Sequence, residues 1–209
     1  MAKLWDISQT LRPNLPVWPD DTDFDLEEVW SIGSDCPVKV SRLTLSTHSG
    51  SHGDAPSHYD ASGADMAALD LNTYLGPCVL MTAQSGVSRI TPDDLDWSLL
   101  KGESRVLIRT YENFPAEEWD HDFRAIHADT IDALAKAGCR LIGIDSASID
   151  PETSKTMEAH HAVYRHDMRI LEGLVFDGVP DGRYELIALP LKIAGADASP
   201  IRAVLRELP

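Results

Sequence analysis

Hydrophobic residues occur along this chain in short runs rich in branched side chains, a pattern typical of β-strands. Six runs predict strands, at residues 38–45, 78–82, 105–110, 140–145, 184–189 and 201–208. In the first run the apolar positions change parity, since Val38 and Val40 share one parity and Leu43 and Leu45 the other. This change indicates either a β-bulge or bend before the next segment, or a strand buried on both faces.

Two stretches between the predicted strands carry helix signals. Thr91 followed by Pro92 and Asp94 is typical of a helix N-terminus. The apolar stripe of this helix would consist of Leu95, Leu99 and Leu100. A second helix is predicted to begin after Asp129 and to end at Gly138. Its buried side would consist of Ile131, Leu134 and Ala135. Strands and helices together predict an α/β fold.

The length and charge of the chain restrict its organisation and its partners. The 209 residues are 43% hydrophobic and contain no internal repeat or low-complexity linker, so we expect residues 1–209 to form a single domain with a substantial core. Eighteen Lys and Arg stand against 34 Asp and Glu, which gives a formal net charge of −16. No basic stripe interrupts this negative charge, and nucleic-acid binding is therefore disfavoured.

The sequence predicts a cytoplasmic protein without a membrane partner. The N-terminal MAKLWDISQT has no apolar core of signal-peptide length, and no stretch approaches the roughly 18 apolar residues of a membrane span. Cys36, Cys78 and Cys139 are odd in number, far apart and without a CxxC pair. Such cysteines are typical of reduced thiols.

The segment HSGSHGDAPSHYD, residues 48–60, contains the most informative chemistry of the chain. It places His48, His52, Asp54 and His58 within eleven residues. A straight strand at roughly 3.3 Å per residue would separate His48 from Asp54 by about 20 Å, whereas the donor atoms of one ion lie about 3 to 4 Å apart. The chain must therefore fold back, which the nearby glycines permit. Two imidazoles and a carboxylate predict a metal site suited to Zn²⁺ and tolerable to Mn²⁺ or Fe²⁺.

Further metal donors are available in residues 157–174, MEAHHAVYRHDMRILEGL. His160 and Glu172 are twelve residues apart, so both can reach one site if a helical turn or two lies between them. This spacing is not specific. Composition alone favours an amphipathic helix in which His161 and His166 are solvated.

These residues carry a family resemblance that covers essentially the whole chain. HSGSHGDAPSHYD resembles the HxGTHxDxPxH signature of the cyclase-type metal-dependent hydrolases, and HHAVYRHDMRILEGL is similar to their second metal-binding segment. The N-terminal LWDISQTLRPNLPVWPDDT resembles the opening of the bacterial kynurenine formamidases (arylformamidases) of that family, including Trp18 and Pro19. Ser51 stands where the signature has Thr, and it keeps the hydroxyl group.

The resemblance implies a swivelling β/β/α fold, with mixed sheets and flanking helices, in a homo-oligomer, most simply a homodimer. It also implies two Zn²⁺ per chain, with Mn²⁺ or another divalent ion as an alternative. The implied ligands are His48, His52 and Asp54 for the first ion and Asp54, His160 and Glu172 for the second, with Asp54 and Glu172 shared.

The resemblance further assigns two residues outside the ligand set. His58 would be the acid/base residue, and Trp18 would line the substrate pocket. The residues alone leave other interpretations open. His58 can also be a third ligand or a residue that orients a ligand, and Trp18 can be a core or interface residue.

The reaction implied is hydrolysis of N-formyl-L-kynurenine to L-kynurenine and formate in tryptophan degradation. An alternative keeps the metal site and changes the substrate to isatin or another aryl or cyclic amide. A third hypothesis is a binding module with a purely structural metal. Structural zinc sites most often include thiolates, so the distance of the three cysteines from the motif in the sequence counts against it.

Overall fold

The computed structural model of this protein describes residues 2–84 and 86–208. Its strands are β1 (Leu4–Asp6), β2 (Asp25–Trp30), β3 (Val40–Thr44), β4 (His52–Asp54), β5 (Leu75–Thr82), β6 (Arg89–Ile90), β7 (Arg105–Arg109), β8 (Ala125–Ile126), β9 (Leu141–Ile144), β10 (Arg169–Glu172), β11 (Gly182–Ile187), β12 (Ala198–Pro200) and β13 (Val204–Glu207). The α-helices are α1 (Ala128–Lys136) and α2 (Glu158–Arg165). Short 3-10 helices span Pro56–His58, Met66–Ala68, Leu71–Tyr74, Pro92–Asp94 and Trp97–Leu99.

Nine strands form one mixed sheet in the order β1-β13-β11-β5-β7-β9-β10-β4-β12. The central strands β5, β7, β9 and β10 are parallel, and the strands at both edges are antiparallel. Side chains of a strand alternate between the two faces, so Leu107 of β7 joins one buried cluster while Val106 and Ile108 join the other. The predicted α/β fold with a mixed sheet and flanking helices is confirmed.

The predicted strands are present, each with boundaries shifted by a few residues. The second predicted helix is also confirmed as α1, although His127 caps its N-terminus by accepting a hydrogen bond from the backbone N–H of Asp129. Ile131 and Leu134 are fully buried, and Ala135 packs against the same cluster.

The prediction of a helix after Thr91 is wrong, because two short 3-10 helices occupy this stretch. Asp94 accepts hydrogen bonds from the backbone and hydroxyl of Thr91, so the N-terminal signal is real. The helix ends at once because Leu95 is extended and the Asp96 side chain accepts a bond from the N–H of Ser98, which starts a second 3-10 turn. A new cap at Asp96, five residues after the cap at Thr91, competes with helix propagation.

The apolar positions of the first predicted strand change parity, but the strand is not buried on both faces. Among the described strands β3 pairs with β2 alone, and every residue of both strands is exposed. The register of this hairpin shifts between Glu28 and Trp30, opposite Val40 and Ser41. The irregularity therefore lies in the partner strand β2, and the prediction that β3 is buried on both faces is wrong.

The strand β4 brings together the two segments that the sequence singled out. It is completely buried and pairs antiparallel with β10 on one side and with β12 on the other. In this register Glu172 lies opposite His52 and Ile170 opposite Asp54. Within the described chain, no helix is long and apolar enough to cross a membrane.

Candidate metal centre and active site

The first histidine segment folds back as its spacing required. Gly50 has a φ of 66°, in the left-handed region, and a Cβ there would lie 2.8 Å from Leu11 Cδ2. This turn brings Nδ1 of His48 to 3.3 Å from Asp54 Oδ1. Nε2 of His52 lies 3.6 Å from the same oxygen. Two imidazoles therefore face one carboxylate.

The second segment completes the cluster from the other side. Nε2 of His160, on α2, lies 3.5 Å from Asp54 Oδ2 and 3.7 Å from Glu172 Oε1. The other oxygen of Glu172 lies 3.4 Å from Nε2 of His52. The structure thus brings all five sequence-predicted ligands together around Asp54, which is completely buried.

Several polar atoms of this cluster are buried without a hydrogen-bond partner among the described residues. They are Nε2 of His52 and both carboxylate oxygens of Asp54. Nδ1 of His52 donates to the carbonyl of Gly50 at 2.9 Å, so Nε2 carries the free lone pair when the ring is neutral. Burial of such atoms is costly unless they are compensated. Divalent ions between them would supply that compensation, so the donor set fits a metal centre.

The charges of the cluster favour cations. Burial alone would lower the pKa of His48, but Asp54 and Asp197 outweigh it and raise that pKa to about 9. Burial also opposes the charge of His160, whereas Asp150, Asp54 and Glu172 raise its pKa to about 10. The neighbouring imidazoles of His160 and His48 overcome the burial of Asp54 and hold its pKa well below the usual range.

Asp150 orients His160, and the sequence analysis did not identify it. Its Oδ2 lies 2.7 Å from Nδ1 of His160. Its two oxygens also accept the backbone N–H groups of Ala159 and His160 at the start of α2, at 3.1 and 3.0 Å. Ten residues separate Asp150 from His160, and no local sequence pattern links them.

Asp197 is a second residue that the sequence analysis missed. Its Oδ2 accepts a hydrogen bond from Nε2 of His48 at 3.1 Å and lies 3.5 Å from Nδ1 of His58. Thr47 donates to its other oxygen at 2.9 Å. One carboxylate therefore contacts both a predicted ligand and the predicted acid/base residue.

His58 lies beside the cluster rather than inside it. Its ring centroid is 4.3 Å from that of His48 and 5.9 Å from that of His160, and its side chain is 30% exposed. Donor atoms of His58, Asp54 and His160 lie within 4.8 Å of one another, as do those of His58, His48 and Asp197. The geometry therefore suits an acid/base role and is also compatible with metal binding.

Comparison with known proteins identifies the family. The model of the Cyclase family matches residues 5–151 of this chain, which is most of its length. The chain belongs to the Cyclase family. It is 72% identical over 209 residues to the kynurenine formamidase of Maricaulis maris (strain MCS10), with all of both chains covered.

Solved structures of Cyclase-type proteins share the fold. One is described as a potential metal-dependent hydrolase with cyclase activity and is 29% identical, with a TM-score of 0.84 and full coverage of both chains. An isatin hydrolase bound to the product analogue thioisatinate is 25% identical, with a TM-score of 0.81, over 99% of this chain and 92% of that one.

A cavity of about 320 Å³ opens beside the five clustered residues of this Cyclase-family chain. Trp18 lies on its wall and is 36% exposed, so it is not a core residue. Its ring meets that of Trp119 edge-on, with centroids 5.5 Å apart and planes at 72°. Trp119 also lines the cavity, and the sequence analysis did not identify it.

The remaining histidines of the second segment lie outside the cluster. The solvated position that composition favoured is found for His161, whereas His166 is half-buried. His161 is exposed. His166 directly follows α2, and its Nε2 lies 2.7 Å from Asp132 on α1. The face of α2 that meets the cluster around Asp54 is thus the one that carries His160.

Proposed function

We propose that this chain is a metal-dependent kynurenine formamidase that hydrolyses N-formyl-L-kynurenine to L-kynurenine and formate in tryptophan degradation. The observation that carries the proposal is the 72% identity, over the full length of both chains, to a kynurenine formamidase. The cluster around Asp54, with its open cavity, gives the proposed hydrolysis a site.

We propose two zinc ions per chain, held by the cluster. The first would be bound by His48, His52 and Asp54, and the second by Asp54, His160 and Glu172, with Glu172 also contacting the first. The buried atoms of His52 and Asp54 that lack partners support this ligand set. Bound divalent ions supply an activated water and polarise a carbonyl oxygen. Elemental analysis of metal-replete protein tests both the number of ions and zinc against manganese.

Within the proposed site, His58 moves the protons. An imidazole can both accept and donate a proton near neutral pH, which suits this role. Nδ1 of His58 lies 3.5 Å from Oδ2 of Asp197, so a proton on Nδ1 would face that carboxylate and Nε2 would be the basic atom. We propose that His58 takes a proton from the nucleophilic water and returns it to the aniline-type nitrogen, which then leaves more readily.

Trp18 and Trp119 would contact the aryl ring of the substrate. Both line the cavity, and their edge-on pairing holds the two indoles in fixed relative positions. An offset or edge-on aromatic contact contributes about 0.5 to 1.5 kcal/mol beyond the burial of area. We expect Trp18→Ala to raise KM more than it lowers kcat, because this contact does not involve the reacting atoms.

A second candidate substrate is isatin or a related cyclic amide, because an isatin hydrolase is among the structural neighbours at 25% identity. Side-by-side turnover of N-formyl-L-kynurenine and isatin, by one metal-quantified preparation, tests the proposal. We expect a higher kcat/KM for N-formyl-L-kynurenine and loss of activity after chelation. Faster turnover of isatin would reverse the assignment, and turnover of neither would favour a binding module.

We also propose that the chain forms a homodimer through the β2–β3 hairpin. Large exposed apolar side chains concentrate there: Leu26, Val29, Trp30, Ile32, Val38, Val40 and Leu43. Such a patch is typical of a protein–protein interface. Light scattering should show a dimer that Trp30→Glu converts to a monomer, while Leu71→Glu, at an exposed site outside the hairpin, leaves it intact. A monomeric wild-type chain would contradict this.

Two further proposals concern the chain as a whole. We propose that residues 1–209 form one domain, since β1 near the N-terminus pairs with β13 near the C-terminus. We also propose a cytoplasmic location, which the free thiols of Cys36, Cys78 and Cys139 support. Fractionation of cells that express the natural protein tests the location.

A further inference from the structure

The cavity has a marked charge asymmetry beyond the proposed metal ligands. Among the described residues that line it, the charged side chains outside the metal cluster are the carboxylates of Asp21 and Glu152, with no lysine or arginine. N-formyl-L-kynurenine carries an α-ammonium and an α-carboxylate at the end remote from the formamide. Outside the cluster around Asp54, the described lining residues therefore offer a counterion to the ammonium and no lysine or arginine to the carboxylate.

Glu152 is held in a defined position on the cavity wall. The indole Nε1 of Trp119 donates to Oε2 at 3.0 Å, and Nδ1 of His121 lies 3.1 Å from both oxygens. The side chain of Glu152 is 22% exposed, so it remains reachable from the cavity. Because an ionised carboxylate accepts about four hydrogen bonds, these two donors leave acceptor sites free.

The position of Glu152 is also fixed relative to the metal cluster. It follows Asp150 by two residues, and Asp150 accepts hydrogen bonds from both the backbone and the ring of His160. The hydrogen bond from Trp119 lowers the pKa of Glu152, and the contact with His121 lowers it further. Together they outweigh the opposing effect of burial, so Glu152 is ionised at neutral pH.

We propose that Glu152 binds the α-ammonium group of the substrate and makes the enzyme selective for aryl formamides that carry an amino group on the side chain. This inference rests on the proposed function and deepens it, because it names the part of the substrate that the cavity recognises. Asp21, exposed at the rim, adds negative charge on the same cavity. Outside the cluster around Asp54, the described lining residues offer the α-carboxylate no lysine or arginine as a partner.

The test measures kcat and KM for three aryl formamides with each of three proteins. The substrates are N-formyl-L-kynurenine, its deaminated analogue that keeps the carboxylate, and ortho-formamidoacetophenone, which lacks the whole amino-acid end. The proteins are the wild-type chain, Glu152→Gln, and Glu112→Gln as a control at an exposed glutamate outside the cavity lining. Glutamine keeps an oxygen that can accept from Trp119 Nε1, so the indole stays in place.

We expect Glu152→Gln to lower kcat/KM for N-formyl-L-kynurenine about tenfold relative to ortho-formamidoacetophenone, the lower end of what a hydrogen bond to a charged group contributes. The loss should lie mainly in KM, since the ammonium is remote from the reacting atoms. The wild-type chain should also turn over the deaminated analogue less efficiently than N-formyl-L-kynurenine. Glu112→Gln should show the wild-type selectivity.

Different outcomes separate this inference from the proposed function. Equal losses with all three substrates in Glu152→Gln would overturn the inference alone, because they would assign Glu152 to the support of Trp119. Equal wild-type efficiency with and without the ammonium would do the same. A wild-type chain that hydrolyses isatin but not N-formyl-L-kynurenine would overturn the proposed function and this inference together.

Discussion

Oδ2 of Asp150 lies 2.7 Å from Nδ1 of His160, and both side chains are almost completely buried. The carboxylate fixes the ring so that Nε2 points to Asp54 and Glu172. Carboxylates that hold a histidine in this way set its tautomer and strengthen it as a metal ligand. The same carboxylate accepts two backbone N–H groups at the start of α2, so the helix and the ring of His160 are positioned together.

Asp150→Asn should weaken zinc binding about 10- to 100-fold, the usual effect of losing such a supporting carboxylate. Competition with a chromophoric chelator measures the affinity. Asp132→Asn is a matched control, because Asp132 forms a similar contact of 2.7 Å with His166, outside the cluster around Asp54. Equal affinities in the two variants would show that Asp150 does not support a ligand.

His160→Ala should lose one of the two proposed ions, while His161→Ala retains both. His160 is 1% exposed and faces Asp54, whereas His161 is exposed. Adjacent residues on a helix point about 100° apart, so both rings cannot serve the same ion. Metal content measured on both purified variants decides the matter, and the opposite pattern of losses would contradict the proposed ligand set.

His58→Ala should keep both ions and lose roughly 10²- to 10⁴-fold in kcat, the usual contribution of a positioned acid/base group. The variant should fold normally because the wild-type side chain is 30% exposed. Metal content and kcat are measured on the same preparation. A variant that is depleted of metal and regains activity with added zinc would make His58 a ligand instead.

Zinc binding at pH 7 should release protons from the metal-free chain. The pKa values of His48 and His160, raised to about 9 and about 10, mean that both rings carry a proton at that pH. Ligand imidazoles must be neutral, so the affinity for zinc should fall as the pH decreases. Calorimetry in two buffers of different ionisation enthalpy counts the protons.

The control for this measurement is His160→Ala, which should release about one proton fewer than the wild-type chain. Proton release that is the same in both proteins would contradict the assignment of His160.

In the metal-free protein the raised pKa values of His48 and His160 also predict a contribution to the free energy of unfolding. This contribution is complete below about pH 6.5 and lost as the pH rises through about 9 to 10.

The sequence by itself determined the elements and residues that depend on local patterns. Runs of branched apolar residues predicted six strands of the structure, because side-chain alternation and burial are written into consecutive positions. The spacing of His48, His52 and Asp54, with Gly50 between them, required a turn that the chain makes. The assignment of the distant His160 and Glu172 to the same cluster needed the family resemblance, since their spacing is not specific.

Only the tertiary structure decided which distant groups meet. Asp197 reaches His48 across 149 positions, and Asp150 and Glu152 take their places through the loop before α2. The helix predicted after Thr91 failed because a local cap at Asp96 ended it, and the β2–β3 strands proved exposed because no other described strand pairs with them. Local propensity reports the conformation of neighbouring residues, whereas supporting contacts depend on strand order and register, which long-range packing sets.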